Sequence, residues 1–230
     1  VFGSCGLPSF SFLAPPDSSR IEQDIAFSRV TFDHNDDNDP AVFRGYDLFY
    51  KLYDDEPDGE SEFESDAEEI TADPQQAGPS RLTNDHGFQR LVTEFSQSAP
   101  TISIPRGDRE DSFEITLTFL NSLTVLQDQA TAVWTRPGGD TEEVRTLLRG
   151  GAQDNAGDPK PFFPVNDEVY SVGDGLAEID EDLTDLETPS QTVSEDDLAV
   201  GLFVLSYGQD DDFTTVYSTP VSLGYYDIKD

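Results

Sequence analysis

The sequence predicts an all-β protein, a sandwich of short antiparallel strands, and three observations carry that expectation. Apolar and aromatic residues come in short runs rich in strand formers, turn residues divide the runs, and helical periodicity is largely absent. The 16 Phe, 8 Tyr and single Trp are grouped into these runs, and 230 residues suffice to bury a substantial core in one or two domains.

Residues 21–32 open the pattern: Ile25 and Phe27, then Val30 and Phe32, alternate with one irregular step, so a strand is expected there. Residues 46–53, Tyr-Asp-Leu-Phe-Tyr-Lys-Leu-Tyr, form the strongest run, bounded by Gly45 and an acidic turn. Further strands are expected at 101–104, 113–120, 130–135, 143–148, 198–207, 214–217 and 221–228, where β-branched and aromatic residues cluster. Arg136-Pro137-Gly138-Gly139 and Gly150-Gly151 read as breakers between them. Two acidic intervals, 54–80 with eleven Asp and Glu and three prolines, and 173–197, read as solvated loops.

Charge decides the surroundings. Lys and Arg number 13 against 48 Asp and Glu, a net charge of −35, and the lysines are Lys51, Lys160 and Lys229. Such a surface repels itself at ordinary ionic strength, and 1 M salt shortens the screening length to about 3 Å. An exported or salt-adapted protein is expected, with nucleic acid and anionic membrane surfaces excluded as partners. No apolar run reaches bilayer-spanning length, which leaves the N-terminus as the expected membrane attachment.

Cys5 is the sole cysteine and follows Phe2-Gly3-Ser4, an apolar residue and two small ones, the order that precedes a bacterial lipid-attachment cysteine. A lipid anchor on Cys5 is expected; ordinary signal cleavage before Val1 and an incidental cysteine are the alternatives. Residues 6–16 have no strand or helix period, and their prolines favour an extended spacer, so residues 1–20 read as a tether.

Chemistry-bearing residues are many but unpatterned. His34 and His86 lie beside aspartates in polar turns and are expected to be solvated. No Gly-x-Ser-x-Gly elbow marks a nucleophile, and among 48 acids two close carboxylates carry no information, so no enzyme is expected. Calcium is the one cofactor the sequence admits. Asp33, Asn35, Asp37 and Asp39 place oxygen ligands at alternating positions, with Asp210, Asp211 and Asp212 as neighbours if the first and last loops share one end. Asn38 replaces the glycine and Arg44 the glutamate of a helix-loop-helix calcium site, and the competing reading is a turn filled with good turn formers.

Phe32-Asp33-His34-Asn35, then residues 43–53, and near the other end Leu205-Ser206-Tyr207-Gly208 and residues 217–225 together resemble a lipoprotein family of spirochaete-type bacteria. Cys5-Gly6-Leu7-Pro8 matches the opening of mature chains in that family. The resemblance covers about a third of the residues and implies export and anchoring, with no catalytic residues to carry over. At a coarser level the same segments resemble an immunoglobulin or fibronectin type III sandwich, residues 45–53 standing for its central aromatic strand and 199–207 with 214–221 for its last hairpin. Trp134 lies between the two segments and does not replace the usual buried tryptophan. That resemblance implies a sandwich made of 21–56 plus 196–230, with 57–195 as a large β-rich insertion or second lobe; two successive sandwiches meeting near Leu126 are the alternative.

Two functions follow as expectations. The first is a non-catalytic exported surface or periplasmic lipoprotein acting as a structural, self-associating or adhesive module, with other copies or other surface proteins as partners. The second is a secreted carbohydrate-binding or carbohydrate-active protein that stacks sugars on Trp134 and neighbouring aromatics.

Overall fold

The computed structural model describes residues 13–24, 29–54, 58–73, 76–93, 98, 100–118, 130–135, 142–153, 159–161 and 198–227. In chain order its strands are β1 (Glu22–Asp24), β2 (Arg29–Asp33), β3 (Phe43–Asp54), β4 (Gln89–Thr93), β5 (Ile102–Ser103), β6 (Glu114–Thr118) and β7 (Thr131–Thr135). After these come β8 (Glu142–Gln153), β9 (Pro159–Pro161), β10 (Leu198–Gln209), β11 (Thr215–Tyr217) and β12 (Val221–Asp227), while helix α1 (Gly59–Thr71) lies between β3 and β4. The protein is all-β in class, as expected, and its strands form one curled antiparallel sheet.

The strand order is β1-β2-β6-β7-β8-β4-β3-β10-β11, with β12 also on β10, β5 on β3 and β9 on β8. Strands from residues 57–195 therefore hydrogen-bond directly to strands from 21–56: β6 pairs β2 and β4 pairs β3. The longest pairing joins the two ends of the chain, from Leu198 opposite Asp54 to Gly208 opposite Phe43.

The two faces of β3 and β10 explain why their sequences read as continuous apolar runs rather than alternating ones. Tyr46, Leu48, Tyr50, Leu52, Val200, Leu202 and Val204 point inward, sharing one core with Val30, Phe32, Ile115, Leu117, Ala132, Trp134 and Leu147. Phe49, Tyr53, Phe203 and Leu205 point outward and are covered by Phe63 and Ile70 of α1, with Leu82 and Phe88. The curl also brings β1, the first strand of the order, against β12: the Gln23 side-chain amide donates to the Leu223 carbonyl at 2.8 Å.

Four expectations change on contact with the structure. Residues 21–32 do not make a single strand; β1 and β2 are an antiparallel pair with Asp24 opposite Arg29, and residues 25–28 lie outside the described ones. The acidic interval 54–80 holds α1 instead of a loop throughout. Phe63, Ala67 and Ile70 recur at helical spacing and pack on the sheet, and Glu60 and Glu62 sit in the first turn, where carboxylates suit the helix dipole. Charge on the remaining positions hides so narrow a stripe.

Gly150-Gly151 does not break the chain, because β8 continues to Gln153. A Cβ on Gly150 would stand 2.4 Å from the Arg90 carbonyl oxygen, so glycine is what lets β8 lie against β4. Residues 13–16 are docked instead of free: Leu13 is fully buried, and Ala14 exchanges two hydrogen bonds with the Asn38 side chain. The second acidic interval, 173–197, lies outside the described residues.

Candidate functional site

Two groups of polar residues stand out, one beneath α1 and one at the end of the sheet where β2 turns into β3. Beneath α1, the alternation of β3 turns Asp47 and Lys51 to the outer face, in line with Phe49 and Tyr53. Lys51 is buried, with Nζ 2.9 Å from Asp66 Oδ2 and 3.5 Å from Glu62 Oε1, both on α1. Asp66 also accepts from the Tyr53 hydroxyl at 2.8 Å and lies 2.9 Å from His86 Nδ1. Burial pushes the Asp66 carboxyl upward, but hydrogen bonds from His86, Lys51 and Tyr53 outweigh it and hold the pKa below its ordinary value.

Asp47 is completely buried beside this group. It accepts from the Thr101 backbone N–H at 2.9 Å and from the Tyr217 hydroxyl at 3.1 Å, with Arg90 NH1 3.7 Å away. Burial raises its pKa, opposed by Arg90 and these hydrogen bonds, and burial together with the Asp47 charge raises that of Tyr217. Chemically, both carboxylates act as cross-links: Asp66 ties α1 to β3, and Asp47 ties β3 to β11 and to the turn before β5.

At the end of the sheet, His34 is buried, in contrast to its expected solvation. Its ring stacks on Phe113, centroids 4.4 Å apart and planes 7° from parallel. Nε2 lies 3.1 Å from the Arg109 carbonyl, which can only accept, so this nitrogen carries the proton and Nδ1 accepts from the Tyr46 hydroxyl at 2.7 Å. The Asn35 backbone N–H in turn donates to the Tyr46 oxygen, so one chain of hydrogen bonds secures the turn. His86 is likewise buried rather than solvated, because Asp66 on the facing helix receives it.

The four oxygen-bearing residues expected around calcium are distributed over turn and strand. Asp33 is the last residue of β2 and pairs with Arg20 at 3.2 Å. Asn35 accepts from the Asp37 backbone and donates to the Pro15 carbonyl, and Asp39 accepts from the Ala41 backbone. The hairpin that carries Asp210 to Asp212 begins at this end of the sheet, where Gln209 N donates to the Val42 carbonyl at 2.9 Å. Among the described residues, no group of three or more His, Cys, Asp and Glu converges in a way that could hold a metal ion.

The same end carries Phe213, the tip of the β10–β11 hairpin and the one exposed large apolar side chain among the described residues, at 82% exposure. Its φ of +61° is the left-handed conformation that L residues adopt at a cost of about 1–2 kcal/mol. Asp210 braces it by accepting from the backbones of Asp212 and Thr214.

No family model, curated protein or solved structure matches the chain.

Geometry and chemistry therefore carry the functional reading alone. Trp134, the expected sugar platform, is 1% exposed and packs on Phe113 with ring centroids 5.4 Å apart, so it belongs to the core. Cys5 lies outside the described residues. Sequence reasoning missed the Lys51–Asp66–His86 cluster and the position of Phe213. A lysine inside an otherwise apolar run is a signal that a carboxylate must meet it. Phe213 gave none, because one aromatic after an acidic turn reads equally as the start of the next strand.

Proposed function

We propose that the chain is a non-catalytic module of the cell envelope, exported, held at a membrane by a lipid on Cys5, and engaged in structural, self-associating or adhesive contacts. The observation that carries this reading is Phe213. A bare aromatic ring on a strained, acid-flanked hairpin tip adds nothing to the core, and its exposure suits a contact with another molecule. The buried polar clusters support the same reading, since their hydrogen bonds fasten α1 and the loops to the sheet.

The net charge of −35 supports a saline or exported setting and partners that are other copies or other surface proteins. Because Leu13 is docked, an anchor at Cys5 would leave about eight residues, a reach of at most ~28 Å, and would keep the body close to the bilayer. We also read the curled sheet as a sandwich of the immunoglobulin and fibronectin type III kind. The core shared by β2, β6, β7 and β8 with β3 and β10 supports it, and α1 is an addition on the outside.

Light scattering across salt and calcium concentrations tests the association. A mass above the monomer, growing as salt screens the subunits, is expected. A monomer under every condition would overturn self-association. Mass spectrometry of the native N-terminus tests the anchor separately: acyl chains on Cys5 are expected, and an unmodified Val1 start would remove it.

A further inference from the structure

Basic residues are scarce beside acidic ones in this chain, 13 against 48, yet three arginines converge on the end of the sheet that bears Phe213. Arg44 NH1 donates to the Ala41 carbonyl at 2.6 Å. Arg109 donates through Nε to the Ile104 carbonyl and through NH1 to the carbonyl of Pro40, the residue before Ala41. Arg106 opens the short 3-10 turn Arg106–Asp108 and is exposed. Its position follows from the pairing of the chain before it, where Ile104 N donates to the Arg44 carbonyl.

Among the described residues, none of the three forms an ion pair with a carboxylate, although the chain contains 48 Asp and Glu. Arg109 feels the crowding. Burial first, and then the nearby Arg44 and Arg106 guanidiniums, lower its pKa. Like charges gathered without a countercharge cost free energy, and a ligand that brings carboxylates returns it.

The opposite half of such a contact lies at the same end of the sheet. The hairpin begins there, where Gln209 N donates to the Val42 carbonyl, and it presents the exposed carboxylates of Asp211 and Asp212 next to the bare ring of Phe213. We propose that a second copy of this chain docks here, its Asp211, Asp212 and Phe213 finger lying on the Arg44, Arg106 and Arg109 patch of the first. Patch and finger lie at one end of the sheet, which lets the contact be reciprocal, each copy giving a finger and receiving one. The Phe213 ring covers the guanidinium planes while the two aspartates meet their edges. Salt weakens the long-range repulsion between the two acidic bodies more than it weakens these close, partly desolvated pairs.

The inference rests on the self-associating reading and names its surface. Sedimentation velocity of the full chain in 1 M salt tests it with charge reversals and their rescue. Arg106→Asp and Asp212→Arg, each alone, should weaken association by ~10-fold or more, and the two variants mixed in equal amounts should restore it. Circular dichroism melts of each variant separate loss of contact from loss of fold. Association unchanged by either reversal would overturn this surface while leaving self-association standing. A wild-type monomer at every concentration would overturn both. Binding of the unmodified chain to anionic vesicles through Arg106 and Phe213, with no change in its mass in solution, would assign the face to a membrane and likewise overturn the proposal.

Discussion

The Tyr217 hydroxyl donates a 3.1 Å hydrogen bond to the Asp47 carboxylate, 170 residues away in sequence and wholly buried on the outer face of β3. Thr101 N–H and the Arg90 guanidinium complete the shell, so one carboxylate joins β3, the turn before β5, β4 and β11. Replacing Asp47 by Ala takes the acceptor away from the Thr101 N–H and the Tyr217 hydroxyl and the nearby countercharge away from Arg90. Asp47→Ala should lower unfolding stability by about 3–5 kcal/mol in denaturant titration, whereas Asp47→Asn, which keeps an acceptor, should lose less.

Acid should loosen the protein in two stages. Burial lowers the His34 pKa, against the opposing pull of the Arg109 carbonyl and Asp36, so the unfolded chain takes up a proton before the folded one. Stability contributed by neutral His34 is complete above the unfolded value of about 6.5 and declines as pH falls below it. Asp66 has its pKa depressed in the folded state, so its contribution is complete above about 3.9 and is lost as pH falls through its own lower value. Asp47, whose burial raises its pKa, works in the opposite direction in the carboxylate range. Thermal melts against pH should show the upper stage disappear in His34→Gln and the lower one shrink in Asp66→Asn.

Helix α1 carries Glu60, Glu64 and Glu68 one above another on its exposed side, an i, i+4 stripe of like charges. Glu64→Lys converts two repulsions into attractions and should stabilise the protein by about 0.5 kcal/mol or more in dilute buffer. The gain should fade in 1 M salt, where the screening length is about 3 Å. An equal gain at both salt concentrations would show that helix propensity, not charge, is responsible.

Legibility in the sequence followed the physical signal available to each element. β3 and β10 were readable because both faces are buried, which fills most positions with strand formers. α1 was not, since Phe63, Ala67 and Ile70 are its whole apolar stripe and the acids around them look like a loop. Part of its seat is Gly201 on β10, where a Cβ would meet the Phe63 ring at 2.4 Å, a packing detail no periodicity reports. The polar clusters were hidden for another reason. Lys51, Asp66 and His86 are spread over 35 positions and meet only because α1 folds back across β3. Likewise, Arg44, Arg106 and Arg109 become neighbours through the contact of Ile104 with the start of β3.

Phe213 joins the stability of the fold to the contact that the account assigns to it. Glycine adopts a φ of +61° without the strain an L side chain bears, so Phe213→Gly should raise unfolding stability by about 1 kcal/mol. It also removes the exposed ring from the hairpin tip. Sedimentation of wild type beside Phe213→Gly, at matched concentrations in 1 M salt and with melts of both, tests the account most directly. The variant should melt higher and stay monomeric where the wild type associates; association as strong as that of the wild type would remove Phe213 from the contact.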